Sequence, residues 1–455
     1  LEKIKTHFIQ NSAIWLVVAI PFLTSISYAL LLPVSLDEAA TFLLFTNTSI
    51  VESATTYPAP NNHILHSIIT NFTKHLPYLT DLFKLRISSI IVNLITLLVL
   101  YKFIAKHFNK KIALAVVAFT SMLFMTVYYS YMSRGYALVN LFFIINLFCV
   151  FNIIKGENTV KSWSVFILSS VLGFYTMPSF LYPFLTLNFF LFLFQNKSVL
   201  KQVVANGIVG LVVVILYFPI VFYEGIEALT NNPYVQPIGF LTTIKSLPKF
   251  WLLMIQEITG IRWFVMLGLL LIVAYKLRNS TDKITKRFTL VFLFAPFVLL
   301  SIHCVIPFYR VFCYYSFVLI ILICLAFKNE INKVNYKVLL TVLLLMQSLL
   351  LHNFERQIYA YENKDAAINI TCDTIIKKII GDKKYLFDES LLMYNLNFEL
   401  ITKGYKNYEI KEVSNVDLNA DTISNFDYII IKKERNTTKF KKPFYVTEYY
   451  SIYKN

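Results

Sequence analysis

Apolar runs of about 17 to 22 residues, each long enough to cross a bilayer as a helix, recur along the chain between short polar loops. They fall near residues 14–33, 86–105, 112–131, 136–154, 162–177, 180–195, 203–223, 261–277, 288–306, 311–327 and 337–352. This pattern predicts about eleven transmembrane helices, least regular around "YTMPSFLYP", where Pro178 and Pro183 interrupt it. The first run, Ile14 to Pro33, is too long for a signal-peptide core and ends at no small-residue cleavage site, so it reads as a retained helix.

The loops sort by charge. "LEKIK", "KHFNKK", "KGENTVK", "NKSVLKQ", "KLRNSTDKITKR" and "KNEINKVNYK" all fall on one side, which the positive-inside rule makes cytoplasmic. The other side receives a long first loop (34–84), a short turn around Arg134, a second long loop (224–260), the "IPFYR" turn and everything after residue 352. Both long loops mix apolar and polar residues in a way that suits helices lying on the membrane surface, and long loops gathered on one face mark where function resides. Beyond 352 the chain becomes rich in Lys, Asn and Tyr. Short apolar runs ("KYLFD", "FDYIIIKK", "PFYVTEYYSIYKN") alternate there with a helical stretch ("AAINITCDTIIKKII"). The expected organisation is a polytopic α-helical membrane domain, 1–352, followed by a small extracytoplasmic α/β domain, 353–455.

Composition narrows the classes further. The chain is 57% hydrophobic and 15% charged, with mean hydropathy +0.61, which excludes an ordinary water-soluble enzyme. Its net charge of +16 could suggest nucleic acid, but the basic residues sit in the loops that orient a membrane protein, so no nucleic-acid partner is expected. The five cysteines form no C-x-x-C pair and indicate neither a disulfide framework nor a zinc cluster.

The outer side also carries the candidate chemistry. Asp37 and Glu38 stand together in "LLPVSLDEAATF" at the mouth of the first helix, and "YPAPNNHILHSIITNF" follows with His63 and His66. Arg86 opens the second helix, Arg134 caps a hairpin in "YYSYMSRGYALVNLFF", and Arg310 lies in "IPFYRVFCYY". Charges at such depths cost a few kcal/mol unless paired or hydrated, which favours functional placement. Guanidiniums suit a lipid phosphate and a carboxylate suits removal of a proton from a hydroxyl. Adjacent helical residues point about 100° apart, so one acid acts as base and the other supports it, with Asp37 favoured as base. The competing readings are a helix cap for the acid pair, snorkelling anchors for the arginines and hydrogen-bonded structural roles for the histidines. A divalent metal held by the acid pair and His63 stays open.

In order along the chain, the acidic pair, "Y" and "PNNHIL" in the first loop, "LRISSIIVNLITLLVLYKF" and "YYSYMSRGYAL" resemble the membrane GT-C glycosyltransferases of family 39, the protein O-mannosyltransferase type. The bacterial lipid A aminoarabinose transferases are similar relatives. The resemblance covers residues 10–150 well and continues more loosely to about 330. It implies a GT-C type fold and inverting transfer of a sugar from a polyprenyl phosphate donor to an acceptor hydroxyl on the extracytoplasmic face. It also implies catalytic Asp37 with Glu38, donor-phosphate contacts from Arg134, Tyr136, Arg310 and Arg86, and loop or acceptor contacts from Tyr57, Asn61, Asn62 and His63. No cofactor is required on this reading. Where many relatives carry a histidine, this chain offers Tyr175, Thr176 and Met177.

The composition, low in Gly and high in Lys, Asn and Ile, points to an AT-rich bacterial genome; joined to it, the resemblance implies a bacterial cytoplasmic membrane, undecaprenyl phosphate as carrier and an envelope glycan, lipid or protein as acceptor. Two alternatives remain. One is a different GT-C reaction with both substrates lipid-linked. The other is a transporter or flippase of lipid-linked sugars, which would show inverted repeats and broken helices at mid-membrane.

Overall fold

The computed structural model describes residues 2–58, 61–157, 159–194, 199–231, 235–278, 282–379, 383–387, 390–412, 425–433, 443–447 and 450–454. The chain opens with α1 (Glu2–Leu31), then crosses the first loop through three short helices, α2 (Leu36–Thr41), α3 (Ile50–Thr55) and α4 (Ile64–Thr73). Two of these begin with a capping box legible in the sequence. Ser35 and Ser49 cap backbone N–H groups three residues on, while Glu38 and Glu52 reach back to the cap. A long α5 (Asp81–His107) follows, and then α6 (Lys110–Thr120) with α7 (Phe124–Tyr131).

The run expected as one straight helix over 112–131 is instead bent by 73° between α6 and α7. The break is packed by polar side chains: Gln347 donates to Ser121 Oγ (3.1 Å) and to the Val17 carbonyl (2.9 Å). Next come α8 (Tyr136–Ile154), α9 (Thr159–Thr176), α10 (Leu181–Phe192), α11 (Val199–Glu224) and the single turn α12 (Glu227–Thr230). The second long loop is dominated by α13 (Phe240–Thr259), which meets α14 (Trp263–Arg278) at 100°. The membrane portion closes with α15 (Lys283–His303), α16 (Tyr315–Ala326), α17 (Lys328–Lys333) and α18 (Tyr336–Tyr361). Expected to end at 352, that last helix continues nine residues further, to Tyr361.

Each apolar run is a helix, but length and composition qualify six as membrane spans among the described residues, or eight if each bent pair counts as one. Of the remaining apolar helices, those around 178–192 and 315–326 are shorter, and α9, at 18 residues, is not among the qualifying spans. The chain is a polytopic α-helical membrane protein. Helices α8 and α16 are apolar all round and sit in the centre, whereas α11 and α18 leave most of their surface for lipid.

After α18 come α19 (Asn363–Ile379), β1 (Lys383–Phe387), α20 (Ser390–Thr402), β2 (Tyr408–Glu412), β3 (Tyr428–Lys432), β4 (Tyr445–Val446) and β5 (Tyr450–Lys454). The strands form one mixed sheet in the order β2-β1-β3-β5-β4, with β2, β1 and β3 parallel and β5 antiparallel to β3 and β4. Its core joins Ile368, Cys372 and Ile375 of α19 and Leu392 and Leu396 of α20 to Ile430 and Ile452 of the strands. This small domain rests on the first loop. Phe398 meets the Phe42 ring edge-on at 5.0 Å, and Asn369 donates to the Val34 carbonyl (2.7 Å) just before α2.

Candidate active site

The capping box at Ser35 separates the two neighbouring acids. Because Glu38 is the third helical residue and reaches back to the Ser35 N–H (3.1 Å), its carboxylate turns inward, and it is fully buried. Asp37, about 100° around the helix, turns outward and keeps 37% of its side chain exposed.

Glu38 meets Arg86 in a bidentate pair, Nε to Oε1 at 2.8 Å and Nη2 to Oε2 at 2.6 Å, and it also accepts from the Ser133 N–H (2.8 Å). Burial alone would push the Glu38 carboxyl up. The Arg86 guanidinium and the bonds from Ser133 and Ser35 outweigh it and hold the group below the usual carboxylate range. Arg86 is equally buried, and its remaining N–H groups go to the carbonyls of Ala29, Leu32 and Pro33. All five of its donors are thus engaged within the protein, none left for a phosphate. Arg86 and Glu38 tie α5, the end of α1 and the α7–α8 turn to the start of α2.

Asp37 faces the other two arginines. Its Oδ2 lies 3.9 Å from Arg134 Nη2 and 4.0 Å from Arg310 Nη2, within ion-pair reach but beyond hydrogen-bonding distance. Arg134, 3% exposed, is fixed by other partners: Asn61 Oδ1 at 2.6 Å, Thr41 Oγ1 at 2.8 Å and the Asp37 carbonyl at 3.3 Å. Its Nε is buried without a hydrogen-bond acceptor. Arg310, on the turn before α16, is a third exposed and lies over the Phe308 ring at 4.5 Å. Two guanidiniums and an accessible carboxylate therefore converge on one opening.

Behind them the backbone comes unusually close. A Cβ on Gly135 would sit 2.8 Å from both His63 Cβ and Thr176 Cγ2, so glycine alone fits the turn after Arg134. This closeness lets the Gly135 N–H donate to His63 Nδ1 (2.9 Å) and brings His63 Nε2 to 3.5 Å from Arg134 Nη2. Burial and the guanidiniums of Arg134 and Arg310 hold His63 well below its ordinary value, and burial with Arg134 pushes His66 down to about 3. Both imidazoles are neutral. The Tyr136 ring is edge-on to His63 at 5.2 Å and against Tyr129 at 4.1 Å, buried next to the arginines.

The other loop residues lie in the supporting frame. The Asn62 amide donates to the carbonyls of Ser53 and Thr56 and accepts from Ser67. Tyr57 is buried in a separate apolar cluster with Ile64, Tyr217 and Ile220, its N–H bonded to Glu224 (2.7 Å). Two residues that the sequence reading passed over lie near the opening. Glu257, in the last turn of α13, is an electrostatic neighbour of Arg310, Tyr309 and Tyr361. Tyr361, ending α18, has Arg310, Tyr136 and Asp37 among its charged and polar neighbours. Glu257 had a signal, since it is a lone acid in an amphipathic helix that ends at a glycine; Tyr361 had none. Among the described residues, no three His, Cys, Asp or Glu side chains gather as a metal-ligand set.

No protein-family model and no curated protein matches this chain. Its fold is similar to that of ArnT from Cupriavidus metallidurans in the apo state, with TM-score 0.69, 11% identity and 97% of each chain covered. The same protein bound to undecaprenyl phosphate gives 0.66, 10% and 96% of each chain. The oligosaccharyltransferase of Archaeoglobus fulgidus, in complex with zinc and sulfate, aligns at 0.52 and 11% identity over 91% of this chain and 68% of that one. At these identities the likeness is one of fold.

Proposed function

We propose that the chain is an inverting glycosyltransferase that moves a sugar from a polyprenyl phosphate donor to an acceptor hydroxyl at the extracytoplasmic face of a bacterial cytoplasmic membrane. The observation that carries this reading is the half-exposed Asp37 carboxylate standing 3.9 and 4.0 Å from two guanidiniums without a hydrogen bond to either. Its oxygens are free to take a proton, and the partly exposed Arg310 can turn toward an entering phosphate while Arg134 offers a fixed guanidinium beside it.

In the reaction, the acceptor hydroxyl gives its proton to Asp37 as its oxygen bonds to C1 of the sugar. The C1–O bond to phosphate breaks with its electron pair, and the polyprenyl phosphate leaves from the opposite side, which inverts C1. Arg134 and Arg310 stabilise the charge that grows on the leaving phosphate, a contribution concentrated in the transition state. Asn61, Thr41 and the Asp37 carbonyl fix the position of Arg134, and the Tyr136 ring packs against His63 behind it. Glu38 and Arg86 fix the position of α2, so Arg86 takes a supporting role in place of the phosphate contact expected for it. Undecaprenyl phosphate as carrier agrees with the fold shared with ArnT, which has been solved bound to that lipid.

The test is transfer of radiolabelled sugar from synthetic polyprenyl phosphate donors to an envelope fraction by protein in nanodiscs. Wild type should label acceptor, and Asp37→Asn should lose transfer by about a hundredfold or more while still binding donor. Unimpaired transfer by Asp37→Asn removes this base. Labelled lipid crossing the bilayer of proteoliposomes without transfer establishes a transporter instead.

A further inference from the structure

At the corner between α13 and α14 the surface opens into a cleft of about 760 Å³, a size typical of small-molecule sites. The corner turns on Gly260, whose φ of +70° is in the left-handed region and whose absent Cβ leaves room for Phe124. The Gly260 carbonyl accepts from Asn353 Nδ2 (2.9 Å) and Gln357 Nε2 (2.7 Å) of α18, and Gln256 Oε1 accepts from the Trp263 N–H (3.2 Å). The frame of the cleft is therefore hydrogen-bonded in the absence of any guest.

Two donors in its lining remain free. Arg262 makes no ion pair, side-chain hydrogen bond or ring contact among the described residues, and Gln256 keeps its amide nitrogen available. Directly beyond Arg262 the surface becomes apolar, with Trp263, Phe264 and Val265 each more than a third exposed at the start of α14 and Leu350 facing them from α18. A free guanidinium, then an indole, then a lipid-facing apolar strip follow the order in which a membrane lipid presents phosphate, glycerol region and acyl chain.

We infer that this cleft binds one phosphate-bearing membrane lipid, its phosphate held by Arg262 and the Gln256 amide and its first acyl chain lying along Phe264 and Val265. The site stands apart from the Asp37 opening. Phe124, packed against Gly260, contacts the Tyr361 ring at 5.3 Å, and none of the residues lining the cleft is among those placed at the Asp37 opening. The inference does not depend on the glycosyltransferase reading.

Native mass spectrometry of the full chain in detergent, titrated with phosphatidylglycerol, tests it directly. Wild type should take up one lipid with saturation. Arg262→Ala should weaken that binding about tenfold, Arg262→Lys should lose less, and Leu350→Trp, which fills the apolar part, should weaken it without a change in charge. Displacement of the bound lipid by millimolar inorganic phosphate alone would make this a free-phosphate site and overturn the lipid assignment. Non-saturating uptake, or uptake unchanged in both Arg262→Ala and Leu350→Trp, would overturn the site altogether. Asp37→Asn should bind the lipid as wild type does, so loss of sugar transfer and loss of this site are read separately.

Discussion

Asp37 and Glu38 show how one residue of helical phase assigns opposite tasks to chemically similar groups. Glu38 is sealed in a bidentate pair with Arg86, both fully buried. Breaking such a pair on one side leaves an uncompensated buried charge, which costs about 3–5 kcal/mol. Glu38→Gln should therefore lower the thermal midpoint of the detergent-solubilised protein sharply, while Glu38→Gln combined with Arg86→Met should recover part of the loss; equal midpoints for the single and double variants would refute that account. Arg310 is the opposite case, held in the structure by little beyond the Phe308 face and the long approach to Asp37. Arg310→Ala should fold normally, raise the donor concentration needed for half-maximal transfer and lower turnover; an unchanged donor dependence would remove Arg310 from the phosphate site. The sequence marked Asp37, Arg134 and Arg310 because each charge interrupts an apolar neighbourhood. It also carried the clue that Glu38 turns inward, the S-x-x-E spacing from Ser35. What it hid was Tyr361 and where Glu257 ends up, since both depend on α13 and α18 returning to the opening from over two hundred residues away.

Among the elements, the apolar runs were legible because burial in lipid or protein demands them, whereas the bends were not, because they depend on neighbours such as Gln347 that pack the break between α6 and α7. The end of α18 was misplaced for a related reason. Its last turns carry Glu355 and Arg356, Glu362 follows just beyond its end, and the stretch looks like a polar tail, yet Glu362 is 5% exposed. One of its carboxylate oxygens has no hydrogen-bond partner. Burial, then the charges of Glu38 and Asp365, push it up to about 7 from the ordinary 4.5, against the weaker pull of Arg86 and Tyr128. The sign follows from linkage. Below about 4.5 the group is protonated folded or unfolded; between there and 7 the unfolded chain releases the proton first, so stability falls as pH rises through that window. Glu362→Gln should thus match wild type near pH 4.5 and exceed it by about 2–3 kcal/mol above pH 7. Melting curves from pH 4.5 to 8 would show the two converging at the acid end, and parallel curves would mean that Glu362 is charge-paired.

The whole molecule joins a membrane bundle to a small mixed-sheet domain, and the joint lies against the element that carries the acids. Asn369 of α19 and Asn395 of α20 both donate to the carbonyl of Val34, three residues before Asp37, at 2.7 and 3.4 Å. Phe398 closes an apolar cluster with Val34, Ala39, Phe42 and Leu85. The C-terminal domain thus presses α2 onto α5 from outside, while the Glu38–Arg86 pair holds it from within. Arg310 belongs to another element, and Arg134, though bonded to Thr41 and the Asp37 carbonyl of α2, is also held by Asn61. Loosening the domain should therefore displace the base more than the phosphate contacts. Phe398→Ala removes a buried ring at a cost of about 3–5 kcal/mol to the joint, and Asn369→Ala removes a bond to Val34. Because a misplacement of about 1 Å can cost a hundredfold in rate, the double variant should lose turnover by one to two orders of magnitude with a much smaller loss of donor affinity. Single-turnover transfer beside equilibrium donor binding separates these quantities. Equal loss of both would mean that the domain supports the entire opening, and retention of both would make it a passenger on α2.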